Sequence, residues 1–131
     1  MVIDKLMVTK ELYSAIISLD EDKVLLVKYK NGMDVDLEEA EKIMDATVNI
    51  VEKTPFYLIV DARDVLGSID HNSRKLMSEH EVNEFNIAQA IIVNNIASRL
   101  VANFYLKFYK HSNPIKVFTN INEGRKWLLT N

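Results

Sequence analysis

Three short, mainly apolar segments, each followed by a predicted helix, constrain the fold of this chain most strongly. They occupy residues 56–60, 88–93 and 115–118, with the sequences "FYLIV", "AQAIIV" and "IKVF". A continuous apolar run such as residues 56–60 is typical of a strand that is buried on both faces of a parallel sheet. Strands that alternate with helices imply βαβ units with right-handed crossovers. The sequence therefore predicts an α/β fold.

The first third of the chain predicts an antiparallel hairpin. Ile16 and Ile17 belong to one extended run and residues 24–29 to the next, with the polar turn "LDEDK" between them. Residues 1–9 are predicted to form an N-terminal arm or an extra strand. The expected fold is a mixed, mostly parallel sheet of about five strands, with this hairpin at its N-terminal side and four helices. No repeat, low-complexity tract or linker divides residues 1–131, which we expect to form a single domain.

Four helices are predicted, at about residues 37–52, 72–85, 96–110 and from residue 121 onward. Asp36 and Asn120 each precede a Glu by three residues, which is the spacing of a capping box. The third helix has the clearest amphipathic pattern. Its predicted inner stripe consists of Ala97, Leu100, Val101, Phe104 and Phe108.

Composition excludes several kinds of site. The 131 residues include no cysteine, which removes disulfides, thiolate metal ligands and cysteine nucleophiles and fits a reducing cytoplasm. Three glycines are too few and too scattered for a phosphate-binding loop, and the three histidines lack metal-ligand spacing. The apolar runs are too short to span a bilayer. We therefore expect a cytoplasmic protein that is not an enzyme, with no catalytic residues, no metal and no cofactor.

The loop that follows residues 56–60 is the first candidate site. Open α/β sheets place ligands at the carboxyl ends of parallel strands, and helix N-termini bind anions. In the alternative interpretation, Asp70 is only a helix N-cap and His71 is an exposed residue of the first turn. The candidate interaction or phosphorylation residues are Ser68, Asp70, His71, Asn72, Ser73 and Arg74.

The third helix is the second candidate, because it mixes aromatic and basic residues. Such a mixture suits a membrane surface, a lipid pocket or an RNA partner, and equally a helix that packs its aromatics on a sheet. Charge is also uneven, since the first 66 residues hold 14 of the 19 acidic residues but only 8 of the 16 Lys and Arg. Either an anion-facing side or an ordinary solvated face explains this asymmetry. The candidate residues for a small anionic or lipid ligand are Arg99, Asn103 and Lys107, and we expect no nucleic-acid partner.

Three stretches, "LIVDARDV", "SRLVANFYLKFYK" and "PIKVFTNINEGRKWL", together with the order of elements, resemble the STAS fold. This fold occurs in sulphate-transporter tails and in anti-sigma factor antagonists, and it is related in shape to the lipid-binding CRAL-TRIO domains. The chain also resembles small stand-alone bacterial STAS-like proteins of unknown function, over about residues 10 to 129. The resemblance implies a STAS-like domain but no particular activity.

The resemblance also implies where regulation would occur. In anti-sigma antagonists a kinase phosphorylates the Ser of an Asp-Ser pair at the corresponding helix start, and the added charge breaks the partner complex. Here Asp70 matches the Asp, but His71 replaces the Ser. We expect a non-catalytic interaction or regulatory module that binds another protein through residues 68–74. The alternative is a carrier of a small ligand or lipid. A hairpin edge strand also predicts a homodimer.

Overall fold

A computed structural model describes residues 6–63, 68–108 and 113–131. These residues form six strands and four α-helices, and from the third strand onward strands and helices alternate as the sequence predicts; a short 3-10 helix, Glu81–Phe85, follows the second α-helix. The strands are β1 Leu6–Glu11, β2 Ala15–Asp20, β3 Val24–Tyr29, β4 Phe56–Asp61, β5 Asn86–Ile92 and β6 Ile115–Phe118. The helices are α1 Leu37–Val51, α2 His71–Glu79, α3 Ile96–Phe108 and α4 Ile121–Leu128.

All six strands form one sheet in sequence order, β1-β2-β3-β4-β5-β6. Strands β1 to β3 pair antiparallel, and β3 to β6 pair parallel. The sheet has one strand more than the five expected, because the segment that begins at Leu6 is a strand rather than an arm. The predicted α/β class and the N-terminal hairpin are confirmed.

Alternate side chains of the strands divide the core into two layers. One face carries Ile17, Leu25 and Phe56, which pack with Ile43 and Val51 of α1. The other face is covered by α4, whose Leu128 is fully buried against β3, β4 and β5. Helices α1, α2 and α3 therefore cover the face that holds the candidate site described below.

Local capping explains where two helices begin. The Asp36 carboxylate accepts the Glu39 backbone N–H at 2.9 Å, as predicted. The Glu39 carboxylate instead accepts the backbone N–H of Ser14 on the neighbouring hairpin at 3.1 Å. At the other end of the chain, Asn120 accepts the N–H groups of Asn122 and Glu123. Thus Glu39, the second residue of the first predicted capping box, joins α1 to the hairpin.

Two predicted helical features were wrong in detail. The helix expected over residues 72–85 ends at Glu79, because His80 is extended and its Nδ1 accepts the Val82 N–H at 3.0 Å, which starts the 3-10 helix. In α3, Leu100 is 63% exposed, whereas Ala102 is buried. The side chains of Val101, Phe104 and Phe108, and the predicted helix end at residue 110, lie outside the described part of the structure.

Candidate ligand-binding site

The segment after β4 is joined to the connection between β3 and α1. Both the backbone N–H and the hydroxyl of Ser68 donate to the Asp34 carboxylate, each at 3.0 Å. The Val35 N–H donates to the Ser68 carbonyl at 2.8 Å, and Val35 forms a parallel bridge with Ile69. The exposed Ser68 hydroxyl is therefore held by the Asp34 carboxylate.

Asp70 is the N-cap of α2, as the alternative interpretation states. Its carboxylate accepts the Ser73 backbone N–H at 2.7 Å. This hydrogen bond lowers the pKa of Asp70, and the Ser73 side chain and the charges of Arg74 and His71 add to the effect. His71 and Asn72 are exposed, whereas Ser73 is completely buried. A kinase would therefore not reach the Ser73 hydroxyl in the folded protein.

Asp61, the acid that ends β4, is bound by two cations. Its carboxylate accepts the Nε and Nη2 of Arg63 at 3.0 and 2.9 Å, and Nζ of Lys28 lies 3.3 Å away. Burial of the carboxylate opposes ionisation, but the hydrogen bonds and the charge of Arg63, with a contribution from Lys28, outweigh it and lower the pKa of Asp61. Asp61 is thus a structural anion at this sheet edge.

A partly enclosed cavity of 460 Å³ lies between the sheet and its helices. Its floor consists of alternate side chains of the central strands, including Leu58 and Val60 of β4 and Ile91 of β5. Helix α1 and helix α2 line one side, and α3 lines the other through Ala97, Ser98 and Ala102. Most of the lining is apolar, so the cavity suits an apolar ligand body.

Polar side chains lie at the two ends of this lining. Arg74, which is half-buried, lies in the first half of α2 near the carboxyl edge of the parallel strands, where Ser68 also lines the cavity. The remaining lining amides lie toward the amino edge: Asn83, Asn86, Gln89 and Asn113. Arg74 is the one charged side chain among the described lining residues. The lining therefore combines an apolar centre with a cationic end and an amide end.

The structure brings together only some of the residues that the sequence singled out. Ser68 and Arg74 line the cavity, whereas the four residues 70–73 do not. Arg99, Asn103 and Lys107 are exposed on α3 and are not part of the lining. Their role as ligand-binding residues is untested.

Sequence reasoning overlooked the amide end of the cavity. The sequence did contain a signal, because Asn86 and Gln89 interrupt the apolar pattern at the start of β5, a strand buried on both faces. A polar residue in such a strand requires a hydrogen-bond partner, and its presence is a reason to look for one.

The described residues contain neither a metal-binding cluster nor a membrane-spanning helix. Among residues 6–63, 68–108 and 113–131, no three His, Cys, Asp or Glu side chains gather closely enough to hold a metal ion. Within the same ranges, no helix has the length and hydropathy needed to cross a membrane.

Comparison with known proteins supports the fold and leaves the activity open. The model of a domain family of unknown function, DUF7793, matches residues 17–130. A solved structure of an uncharacterized DUF3478-family protein from Shewanella loihica PV-4, described as having a SpoIIAA-like fold, superposes with a TM-score of 0.61. The two chains are 13% identical over 98% of this chain and 97% of that one. No match is found among curated proteins.

Proposed function

The chain belongs to the DUF7793 family of domains of unknown function, and from its STAS-like fold and its cavity we propose that it is a non-catalytic module that binds a small, mainly apolar ligand. The observation that carries this proposal is the 460 Å³ cavity on the face of the sheet covered by α1, α2 and α3. Ligand sites are commonly clefts of roughly 300–1,000 Å³ with a mostly apolar lining and a few polar groups. The cavity has both properties.

The polar contacts near the cavity support a non-catalytic role. A hydrolytic triad would require the Ser68 hydroxyl to reach a histidine that is oriented by an acid. Instead this hydroxyl donates to Asp34, and the nearby Asp61 carboxylate is bound by Arg63 and Lys28. Neither group is therefore arranged as part of a nucleophile and base pair.

A cavity-filling variant tests the proposal. Val60→Phe places a larger side chain in the floor of the cavity, and we expect it to weaken binding of anilinonaphthalene sulfonate, an apolar anionic probe, by about tenfold. The measurement is a fluorescence titration of protein from which bound ligand has been removed. Val48→Phe on α1 is the matched control, because Val48 is 38% exposed and does not line the cavity.

Two results would contradict this function. Wild-type protein that does not bind the probe, either after ligand removal or after refolding, would show that the cavity does not accept an apolar anion. Equal affinity of Val60→Phe and Val48→Phe would place the probe elsewhere. Ala102→Leu fills the same cavity from α3 and serves if Val60→Phe does not fold.

A protein-interaction or regulatory role is a second candidate, and the Ser68–Asp34 contact favours it. A phosphate on the exposed Ser68 hydroxyl would lie beside the Asp34 carboxylate, so repulsion would break this contact. The neighbouring Val35–Ile69 bridge would be weakened with it. The charge on Ser68 would then alter the surface formed by residues 68–74, through which another protein would bind in the cytoplasm.

Phosphate mapping of the protein purified from its own host cells tests this second function. We expect phosphate on Ser68 and none on the buried Ser73. A protein that carries no phosphate on Ser68 in growing, starved or stressed cells would contradict phosphorylation as the switch. Phosphate on Ser73 would contradict the accessibility argument.

A further inference from the structure

We propose that the ligand is a planar, fused-ring molecule with a cyclic amide at its edge, and that the Gln89 side chain binds this amide. The inference rests on the proposed ligand-binding function and deepens it, because it names the chemical class of the ligand. Two features carry it. One is the breadth of the cavity floor, and the other is an accessible amide in that floor that has no hydrogen-bond partner within the described protein.

The floor of the cavity is broad. Its lining residues come from four adjacent strands, β3 to β6. Leu25, Leu58, Gln89 and Ile115 are in register with one another across these strands, and all four line the cavity. Four adjacent strands span about 14 Å from the first to the last. A planar fused-ring system on a floor of this width buries more apolar surface than a single aliphatic chain does.

The Gln89 side chain lies on the cavity face of β5. It alternates along the strand with Ile91 and Val93, which also line the cavity. Gln89 and its two neighbours in register, Leu58 and Ile115, are each half-buried, although helices cover this face of the sheet. A ring that lies on the floor therefore contacts the Gln89 side chain directly.

The Gln89 amide lacks a partner inside the protein. The backbone N–H of Gln89 donates to the Pro114 carbonyl at 2.9 Å. The side-chain amide forms no hydrogen bond within the described part of the chain. Its atoms remain accessible, unlike Oδ1 of Asn86, which is completely buried. A polar group on a mainly apolar surface gains affinity from a ligand that supplies the missing hydrogen bonds.

The Gln89 amide offers a donor and an acceptor side by side. Its Nε2 donates and its Oε1 accepts, so the complementary ligand edge has an acceptor next to a donor. In an open-chain secondary amide the C=O and N–H groups point to opposite sides, because the trans form is preferred. A ring holds the two groups on the same side. A carboxylic acid also has both groups on one side, but it ionises at neutral pH and loses its donor. A cyclic amide therefore matches Gln89 best.

The experiment compares two ligands that differ by one methyl group. Phenanthridinone is a planar three-ring lactam, and N-methylphenanthridinone keeps its rings and its carbonyl but has no N–H donor. Fluorescence titrations measure the affinity of each compound for protein from which bound ligand has been removed. We expect wild-type protein to bind phenanthridinone about tenfold more tightly, since methylation leaves the Gln89 oxygen without its donor. Gln89→Leu removes both polar groups of the amide and should abolish this preference.

Thr47→Val is the matched control. Thr47 lines the same cavity, but its hydroxyl already donates to the Ile43 carbonyl at 2.8 Å, so this variant should keep the preference. Thermal unfolding checks that each variant is folded. Gln89→Leu should unfold at a temperature at least as high as wild type, because leucine adds apolar contact with Leu58 and Ile115 and removes an amide without a partner. Gln89→Met serves if Gln89→Leu does not fold.

The outcomes separate this inference from the function on which it rests. Equal affinity of wild-type protein for the two phenanthridinones, with binding lost in Val60→Phe, would overturn the cyclic amide and leave the ligand-binding function standing. A preference that survives in Gln89→Leu, or that is lost in Thr47→Val as well, would overturn the role of Gln89. Binding of anilinonaphthalene sulfonate but of neither phenanthridinone would overturn the fused-ring ligand, and failure of all three compounds to bind would overturn both proposals.

Discussion

At the residue scale, the carboxylate of Asp61 shows most clearly how neighbouring side chains determine the ionisation of a buried acid. In the sequence, this acid directly follows the apolar run of residues 56–60. In the structure it is buried and paired with Arg63 and Lys28, so that its charge is neutralised at the edge of the sheet. A buried acid with two cationic partners stabilises the fold in its ionised form.

Asp61→Asn should lower the free energy of unfolding at neutral pH by about 1–3 kcal/mol, because Arg63 loses a charged acceptor. Burial raises the folded-state pKa of Asp61, but the hydrogen bonds and charge of Arg63, with the charge of Lys28, hold this pKa below its ordinary value. The stabilisation that the Asp61 carboxylate contributes is therefore fully present above its unfolded-state pKa. It is lost as the pH falls through the folded-state pKa.

Urea unfolding of wild type and Asp61→Asn between about pH 7 and pH 3 measures this dependence. The difference between the two proteins should be constant near neutrality and should shrink below about pH 4. A difference that stays constant down to the lowest pH, or that grows, would contradict the paired carboxylate.

At the element scale, α3 shows how far a periodic pattern can mislead. Leu100 belongs to the predicted inner stripe, yet it is 63% exposed. The face that lines the cavity carries Ala97, which was predicted to face inward, together with Ser98 and Ala102, which were not. Small residues on this face leave room for the cavity, whereas larger ones would fill it. Exposed apolar residues are common on protein surfaces. The positions of the apolar residues of α3 therefore did not by themselves identify the face of the helix that lies toward the sheet.

Substitutions on the two faces of α3 should differ in cost. Leu100→Gln should change the free energy of unfolding by less than about 0.5 kcal/mol, because the side chain is already exposed. Ala102→Gln should lower it by about 1–3 kcal/mol, since it buries an amide. Chemical denaturation of both variants measures the difference, and equal losses would restore Leu100 to the inner face.

The fit of α4 against the sheet depends on Gly124. A Cβ atom at this position would lie 2.9 Å from Cδ1 of Ile92 and 3.3 Å from Cβ of Ala90. The side chains of Trp127 and Phe118 pack beside it, with ring centroids 5.7 Å apart. The helix therefore approaches the sheet closely because this residue has no side chain.

Gly124→Val should destabilise the protein by about 1–3 kcal/mol, because the added atoms overlap the sheet. Asn122→Val is a control on the same helix, where the side chain is exposed and valine has about the same helix propensity as asparagine. Thermal or urea unfolding distinguishes the two. A Gly124→Val protein as stable as Asn122→Val would contradict the close packing.

At the scale of the whole molecule, β1 is the feature with the largest consequence for assembly. It forms one edge of the sheet, and Met7 and Val8 on it are 53% and 43% exposed. An edge strand with exposed apolar residues can pair with the same strand of a second copy. We therefore expect a homodimer joined through β1.

Sedimentation equilibrium over a range of protein concentrations tests this assembly. Wild type should approach twice the mass of the 15.1 kDa chain, whereas the double variant Met7→Lys, Val8→Lys should remain a monomer. Lys10→Met is the control, because it changes another residue of the same strand and leaves Met7 and Val8 in place. This variant should still form the dimer. Monomeric wild type at every concentration would contradict the dimer.

The elements of this protein follow from local properties of its sequence, but its cavity does not. The strands, the hairpin turn and the caps at Asp36 and Asn120 depend on periodicity and on hydrogen bonds within a few residues. The cavity depends on how closely the helices approach the sheet, and that distance results from packing between distant parts of the chain. Arg74 of α2 and Asn86 of β5 line the same cavity although they belong to different elements of the chain. The sequence by itself therefore determined the order and type of the elements, whereas the tertiary structure decided which polar residues face one another across an apolar space.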